Sequence, residues 1–157
     1  MTTLREEEVV NTLEQFGAYA ADFEATFADD DWARVSERYH PDIRYLVTGS
    51  PYDCELKGRE AVIAGLKKAL DGFDRRFDRR VLSPAGDPAV EPGKVAFPAH
   101  CLYEKDGLPT LEFNLTETVE LNDDGLITLI HDDYPAGQDH VNEWLERNNG
   151  EFNPRYE

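Results

Sequence analysis

Residues 111 to 121 read LEFNLTETVEL, and a carboxylate stands where the pattern calls for an apolar side chain. The odd positions are Leu111, Phe113, Leu115, Glu117, Val119 and Leu121; the even ones are Glu112, Asn114, Thr116, Thr118 and Glu120. Side chains alternate across a strand, so the pattern predicts a strand whose buried face holds one acid. Slipping the register by one residue would turn the whole apolar set to solvent, so Glu117 is not rescued that way. A buried carboxylate needs partners or keeps its proton. Either condition makes Glu117 a candidate site residue. In LITLIHDDY (126–134) the same alternation puts Ile130, Asp132 and Tyr134 on one face and Leu129, His131 and Asp133 on the other.

The elements that must position these acids are readable from periodicity and breakers. Val9, Leu13, Phe16, Ala20, Phe23 and Phe27 recur at steps of four and three, which predicts one apolar stripe along a helix of about six turns. An aspartate near Asp30 or Asp31 can cap a second helix carrying Trp32, Val35 and Tyr39 and stopping before Pro41. His40 would then favour that helix's carboxyl end. IRYLV (43–47) reads as a strand and TGSPYDCELKG as a polar loop. A third helix, from about Arg59 to Leu70, turns Val62, Ile63, Leu66 and Leu70 inward. Strand-like segments follow at roughly 76–83 and in VAFPAHCLYE, then the opening strand, the turn NDDG and the closing strand. A short helix over QDHVNEWLERNN carries Val141, Trp144 and Leu145 on one side, and a tail from residue 149 to 157 is expected to be loose.

The 157 residues fit a single core. With 16 Lys plus Arg against 33 Asp plus Glu, the formal charge is −17, which disfavours nucleic acid and anionic membrane surfaces as partners. Cys54 and Cys101 stand alone with no metal-ligand spacing, so no metal site is expected. The segment MTTLREEEVV is acidic and no apolar run reaches membrane length, so the expectation is a cytoplasmic protein. The repeat FDRRFDRR (73–80) is the one basic island. Two roles are open to it: a bidentate anion clamp, or a solvated edge paired to nearby acids, the reading preferred here, which leaves it out of the site.

Helices interleaved with an early strand and followed by antiparallel strands describe an α+β domain with a cone-shaped curved antiparallel sheet around the long first helix. FADDDWARVSERYHPDIRYLV, KGREAVIAGL and VELNDDGLITLIHDDY resemble the nuclear transport factor 2-like superfamily, in particular its SnoaL-like polyketide cyclase and ketosteroid isomerase branch. The resemblance implies one SnoaL-like domain over residues 1–148, a cystatin-like α+β barrel, and a site inside the cone. It places the isomerase's protonated acid on Glu117, its tyrosine on Phe23 and its base near Val47, and neither Phe23 nor Val47 can do that work. It also implies that Ile130, Asp132 and Tyr134 face the cone, bringing Asp132 near Glu117, where two acids would split their pKa values and suit acid–base catalysis. Tyr45, Phe97, Cys101, Tyr103 and Phe113 would complete the wall, with Tyr45, Tyr103 and Tyr134 as replacement donors. His100 and His131 fall on the outer face by parity.

Alternatives stay open at this stage. Glu117 could be one half of a structural ion pair, and Asp132 could lie in solvent where its strand frays. Two functions follow. One is a cofactor-independent isomerase, cyclase or dehydratase acting on a small hydrophobic molecule through Glu117 and Asp132. The other is a noncatalytic ligand-binding or dimerisation module, its cone filled by Phe16, Phe23, Phe97 and Phe113. A homodimer through the outer sheet face is expected in either case, because His100, Leu102, Asn114, Thr116, Thr118 and Leu129 make that face weakly charged.

Overall fold

The computed structural model describes residues 3–50, 52–148 and 151–157. Helix α1 spans Leu4–Asp29 and begins in a capping box, in which the Thr3 hydroxyl accepts from the Glu6 backbone and the Glu6 carboxylate accepts from Thr3 N–H. Its buried face is formed by Thr12, Phe16, Tyr19 and Thr26, while Leu13, predicted to face the core, is 41% exposed. The helix stripe therefore lies slightly round from the one that hydrophobicity alone marks. Tyr19 is held inside by its hydroxyl pairing with Tyr39, 2.7 Å away.

The second helix is shorter than expected. Helix α2 covers only Ala33–Ser36, and strand β1 already runs over Tyr39–Thr48. Pro41 excludes helix from the residue before it and tolerates extended backbone, which places His40 in a strand and not at a helix end. The loop predicted after β1 contains a strand, β2 (Cys54–Lys57), antiparallel to β1. Helix α3 (Arg59–Gly72) buries Val62, Leu66, Ala69 and Leu70, and a short 3-10 turn covers Asp74–Arg76. Strands β3 (Arg79–Pro84), β4 (Ala89–Glu91), β5 (Lys94–Glu104), β6 (Leu111–Leu121) and β7 (Ile127–Asp133) follow, then α4 (Asp139–Arg147).

The seven strands form one sheet in the order β2-β1-β7-β6-β5-β3, with β4 paired to β5. The fold is α+β around a long first helix, as read from the sequence, but the sheet is mixed and open: β1 runs parallel to β7 while the other pairings are antiparallel. The parallel pair arises because β1 enters the sheet from α2 and reaches β7 only across the rest of the chain, with no hairpin to reverse it. Helix α1 meets the sheet face that carries the odd positions of β6, and Phe16 stacks on Phe97 with ring centroids 5.7 Å apart.

A second core cluster gathers Phe73, Tyr103, Phe113, Trp144, Leu145 and Phe152. Trp144 donates its indole N–H to the Pro109 carbonyl at 2.8 Å and meets Phe152 edge to face, so its covering comes from its own chain. The tail expected to be loose is anchored within that cluster. Asn153 N–H donates to the Gly72 carbonyl at 2.8 Å, and Phe152 is 4% exposed. The chain passes this closely because α3 presents glycines seven residues apart: a methyl at Gly72 would strike the Asn153 carbonyl, and one at Gly65 would sit 3.0 Å from the Tyr156 carbonyl.

Candidate functional site

Register brings the two acids together. Glu117 on β6 stands directly opposite Asp132 on β7, Val47 of β1 lies on the far side of Asp132, and Phe97 of β5 on the far side of Glu117. One row therefore crosses four strands as Val47, Asp132, Glu117, Phe97. Directly opposed residues on one sheet face have Cβ atoms about 4.5–5.5 Å apart, close enough for each carboxyl to feel the other's charge. Val47, the position that the resemblance marks for a base, thus has a carboxylate beside it on the neighbouring strand.

This row forms part of the wall of a cavity of about 920 Å³. The structure places all ten residues named from the sequence on that wall: Glu117, Asp132, Phe23, Tyr45, Val47, Phe97, Cys101, Tyr103, Phe113 and Tyr134. The four phenylalanines Phe16, Phe23, Phe97 and Phe113 line the cone and leave it open. His131 and His100 are not on the wall. His131 Nε2 is 2.7 Å from the Thr48 hydroxyl, and His100 Nδ1 is 2.9 Å from Asn114 Oδ1. Cys101 is buried and desolvation pushes its thiol up to about 12, so it serves as wall and not as nucleophile.

The two acids are held differently. Asp132 is 8% exposed; Tyr45 donates its hydroxyl proton to Oδ2, while Oδ1 is buried without a hydrogen-bond partner among the described residues. Tyr45 lies two residues before Val47 on the same face of β1, and its hydroxyl also reaches that of Tyr156 at 3.4 Å. Glu117 makes no side-chain hydrogen bond or ion pair among the described residues and looks onto the cavity half-buried. Burial raises the pKa of both, Glu117 further because the Asp132 charge adds to it, whereas the Tyr45 hydrogen bond works to lower Asp132. The pair is therefore asymmetric: the Tyr45 hydrogen bond favours the charge on Asp132, and the proton is favoured on Glu117. The structural ion pair considered for Glu117 finds no partner among the described residues.

The sequence reading missed a second polar cluster on the same wall. Arg80, whose side chain is 9% exposed, donates to Asp74 at 3.1 Å and to Glu24 at 2.8 Å, and its guanidinium lies 4.4 Å from the Phe27 ring centroid. Tyr103 donates to the same Asp74 oxygen at 2.7 Å. Of the basic island, Arg75 behaves as a paired edge with Asp30 and Asp71, but Arg80 turns inward. The signal was its register: Arg80 pairs with Tyr103, which the β5 alternation had already turned inward. Tyr156 was missed as well, and its only sequence trace is the spacing of Phe152 and Tyr156 against Gly65 and Gly72.

No family model matches the chain, and no curated protein matches it in sequence. Solved structures match in fold. TerC co-crystallised with polyporic acid superposes with a TM-score of 0.61 at 17% identity, over 86% of this chain and 98% of that one. A protein from Mycobacterium tuberculosis in complex with estradiol-17β-hemisuccinate gives 0.56 at 19% identity, over 75% and 92%. An NTF2-like protein from Burkholderia xenovorans LB400 gives 0.54 at 17%, over 76% and 88%. The chain has the nuclear transport factor 2-like fold.

Proposed function

We propose that this protein binds a small hydrophobic molecule inside the cone and moves a proton on it, as an isomerase, cyclase or dehydratase would, with Glu117 as acid and Asp132 as base and without a cofactor. The observation that carries this reading is the in-register pair of carboxyls on one cavity wall, one with a proton to give and one with a free oxygen to receive it. On a ketone, Asp132 Oδ1 takes the proton from the carbon next to the carbonyl as Glu117 gives its own to the carbonyl oxygen, and the enol returns to ketone by the reverse transfers. Tyr45 keeps Asp132 ionised and fixed for this. An open cavity of several hundred Å³ is the size in which ligands bury most of their surface, and this favours an enzyme over a filled dimerisation module. Two fold neighbours were solved with organic molecules, polyporic acid and estradiol-17β-hemisuccinate, which supports ligand binding as a use of this fold.

The test uses 2-tetralone, a flat apolar ketone with exchangeable hydrogens beside its carbonyl. In D2O at pH 7 the protein should accelerate their exchange as followed by NMR, and Asp132→Asn and Glu117→Gln should each remove about two orders of magnitude or more. Equal exchange by wild type and both variants refutes the reading. The proposal also includes a cytoplasmic homodimer joined through the outer face that carries Leu102, Thr116, Thr118 and Leu129. Sedimentation as a monomer at micromolar concentration refutes that part.

A further inference from the structure

The cavity is unbalanced in charge. Five carboxyl side chains, Glu24, Asp74, Glu117, Asp132 and Asp139, line it, and Arg80 is the sole cationic side chain among the described lining residues. Even with Glu117 protonated, four carboxylates share the lining with one guanidinium. Arg80 is spent on Asp74 and Glu24 at 3.1 and 2.8 Å, so it has little charge left for an incoming anion. The excess is not relieved by solvent at every point. Asp132 is nine-tenths buried and its Oδ1 has no donor among the described residues. Tyr45, Tyr134 and Tyr156 line the same cavity and offer it aromatic rings, which can hold organic cations.

We propose that the molecule bound in the cone is a hydrophobic amine, taken up as its ammonium ion, with an N–H donated to Asp132 Oδ1 and the apolar body against the phenylalanine wall. A neutral alcohol could donate to the same oxygen but would leave the excess negative charge uncompensated, and a carboxylate would add to it. The inference rests on the reading of the cavity as a ligand site and adds the charge of the ligand. It does not depend on the proton transfer, since the ammonium takes one of the two lone pairs of Oδ1 and leaves the other for a proton.

Three probes that share one ring system separate these outcomes: 2-naphthylmethylamine, 2-naphthylmethanol and 2-naphthoate, titrated calorimetrically into the full chain at pH 7. The amine is expected to bind at least about 10-fold more tightly than the alcohol, and the carboxylate more weakly than both, because a desolvated charge pair and a cation–π contact are absent from the other two. Because the chain is acidic overall, a diffuse surface attraction must be told apart from the site. Asp132→Asn should erase the amine's advantage over the alcohol, while Asp123→Asn, the same change of charge on the exposed hairpin turn, should leave it intact. An alcohol or carboxylate that binds as tightly as the amine overturns the inference on charge and leaves the cavity reading standing. Equal losses in the two variants, or amine binding that excess alcohol fails to displace, also overturn it. If none of the three probes binds, the inference and the ligand-site reading fall together.

Discussion

Replacing Glu117 by glutamine should stabilise the fold at neutral pH, and the size of the effect follows from where the side chain sits. A carboxyl whose folded pKa is raised binds more protons in the native state than in the unfolded one. Native stability then falls as pH rises from the unfolded value towards the folded one, and it is regained as pH falls from neutral towards about 4.3, the ordinary glutamate value. Each unit of that interval is worth about 1.4 kcal/mol, so a fully buried acid would forfeit about 3–4 kcal/mol at pH 7. Glu117 is half-buried and borders an open cavity, which reduces the expected figure to about 1–2 kcal/mol. Glutamine keeps the shape and a donor, and Glu117 has no hydrogen-bonded or ionic partner among the described residues to lose. Urea denaturation of wild type and Glu117→Gln, run at pH 7 and at pH 4.5, measures the difference. The variant should gain about 1–2 kcal/mol at pH 7, a rise of roughly 2–6 °C in Tm for a domain of this size, and nearly nothing at the lower pH. A loss of several kcal/mol at pH 7 would refute the reasoning, because it would mean that a charged Glu117 holds a partner in place.

Arg80→Met should cost about 2–4 kcal/mol at pH 7, since it leaves Asp74 buried and unpaired, and the loss should shrink at lower pH as Asp74, whose pKa burial already raises, takes up a proton. Urea curves at the two pH values check this, and an unchanged midpoint would show that the guanidinium is solvated. Gly72→Ala sets two effects of opposite sign against each other: alanine gains up to about 1 kcal/mol of helix propensity, while its methyl meets the Asn153 carbonyl. Overpacking against backbone should win by about 1–2 kcal/mol and release the tail, seen as faster digestion by carboxypeptidase; a stabilised, equally resistant variant would show that the tail is not held there.

The parts of the fold legible in the sequence were those where one face is buried and the other wet. The β6 alternation marked both the strand and its buried face, so Glu117 was legible from parity, whereas its opposition to Asp132 was implied by the resemblance to the isomerase hairpin. Short elements were not legible for the same reason in reverse. Strand β2 lies at the sheet edge, with Leu56 buried and Cys54 partly so, and four residues carry too little alternation to outweigh the glycines and proline around them. The parallel pairing of β1 with β7 is a long-range choice on which local periodicity is silent.

The least legible part is the one that the chemistry most needs. Charged residues were read as solvent-facing because long charged side chains usually are, and for Arg75 that held. For Arg80 it failed because Glu24 on α1, 56 residues away, joins the nearby Asp74 around it only after α1 has packed on the sheet. Tyr156 entered the site by the same route, through a helix face cleared by two glycines. Compensation of this kind is a property of the assembled cavity, so no window along the chain displays it. An ionisable residue set against the inward parity of its strand, as Glu117 and Arg80 both are, is the local trace that such compensation leaves. In this chain the two traces lie on one wall, and their unequal partners decide which of them keeps its charge.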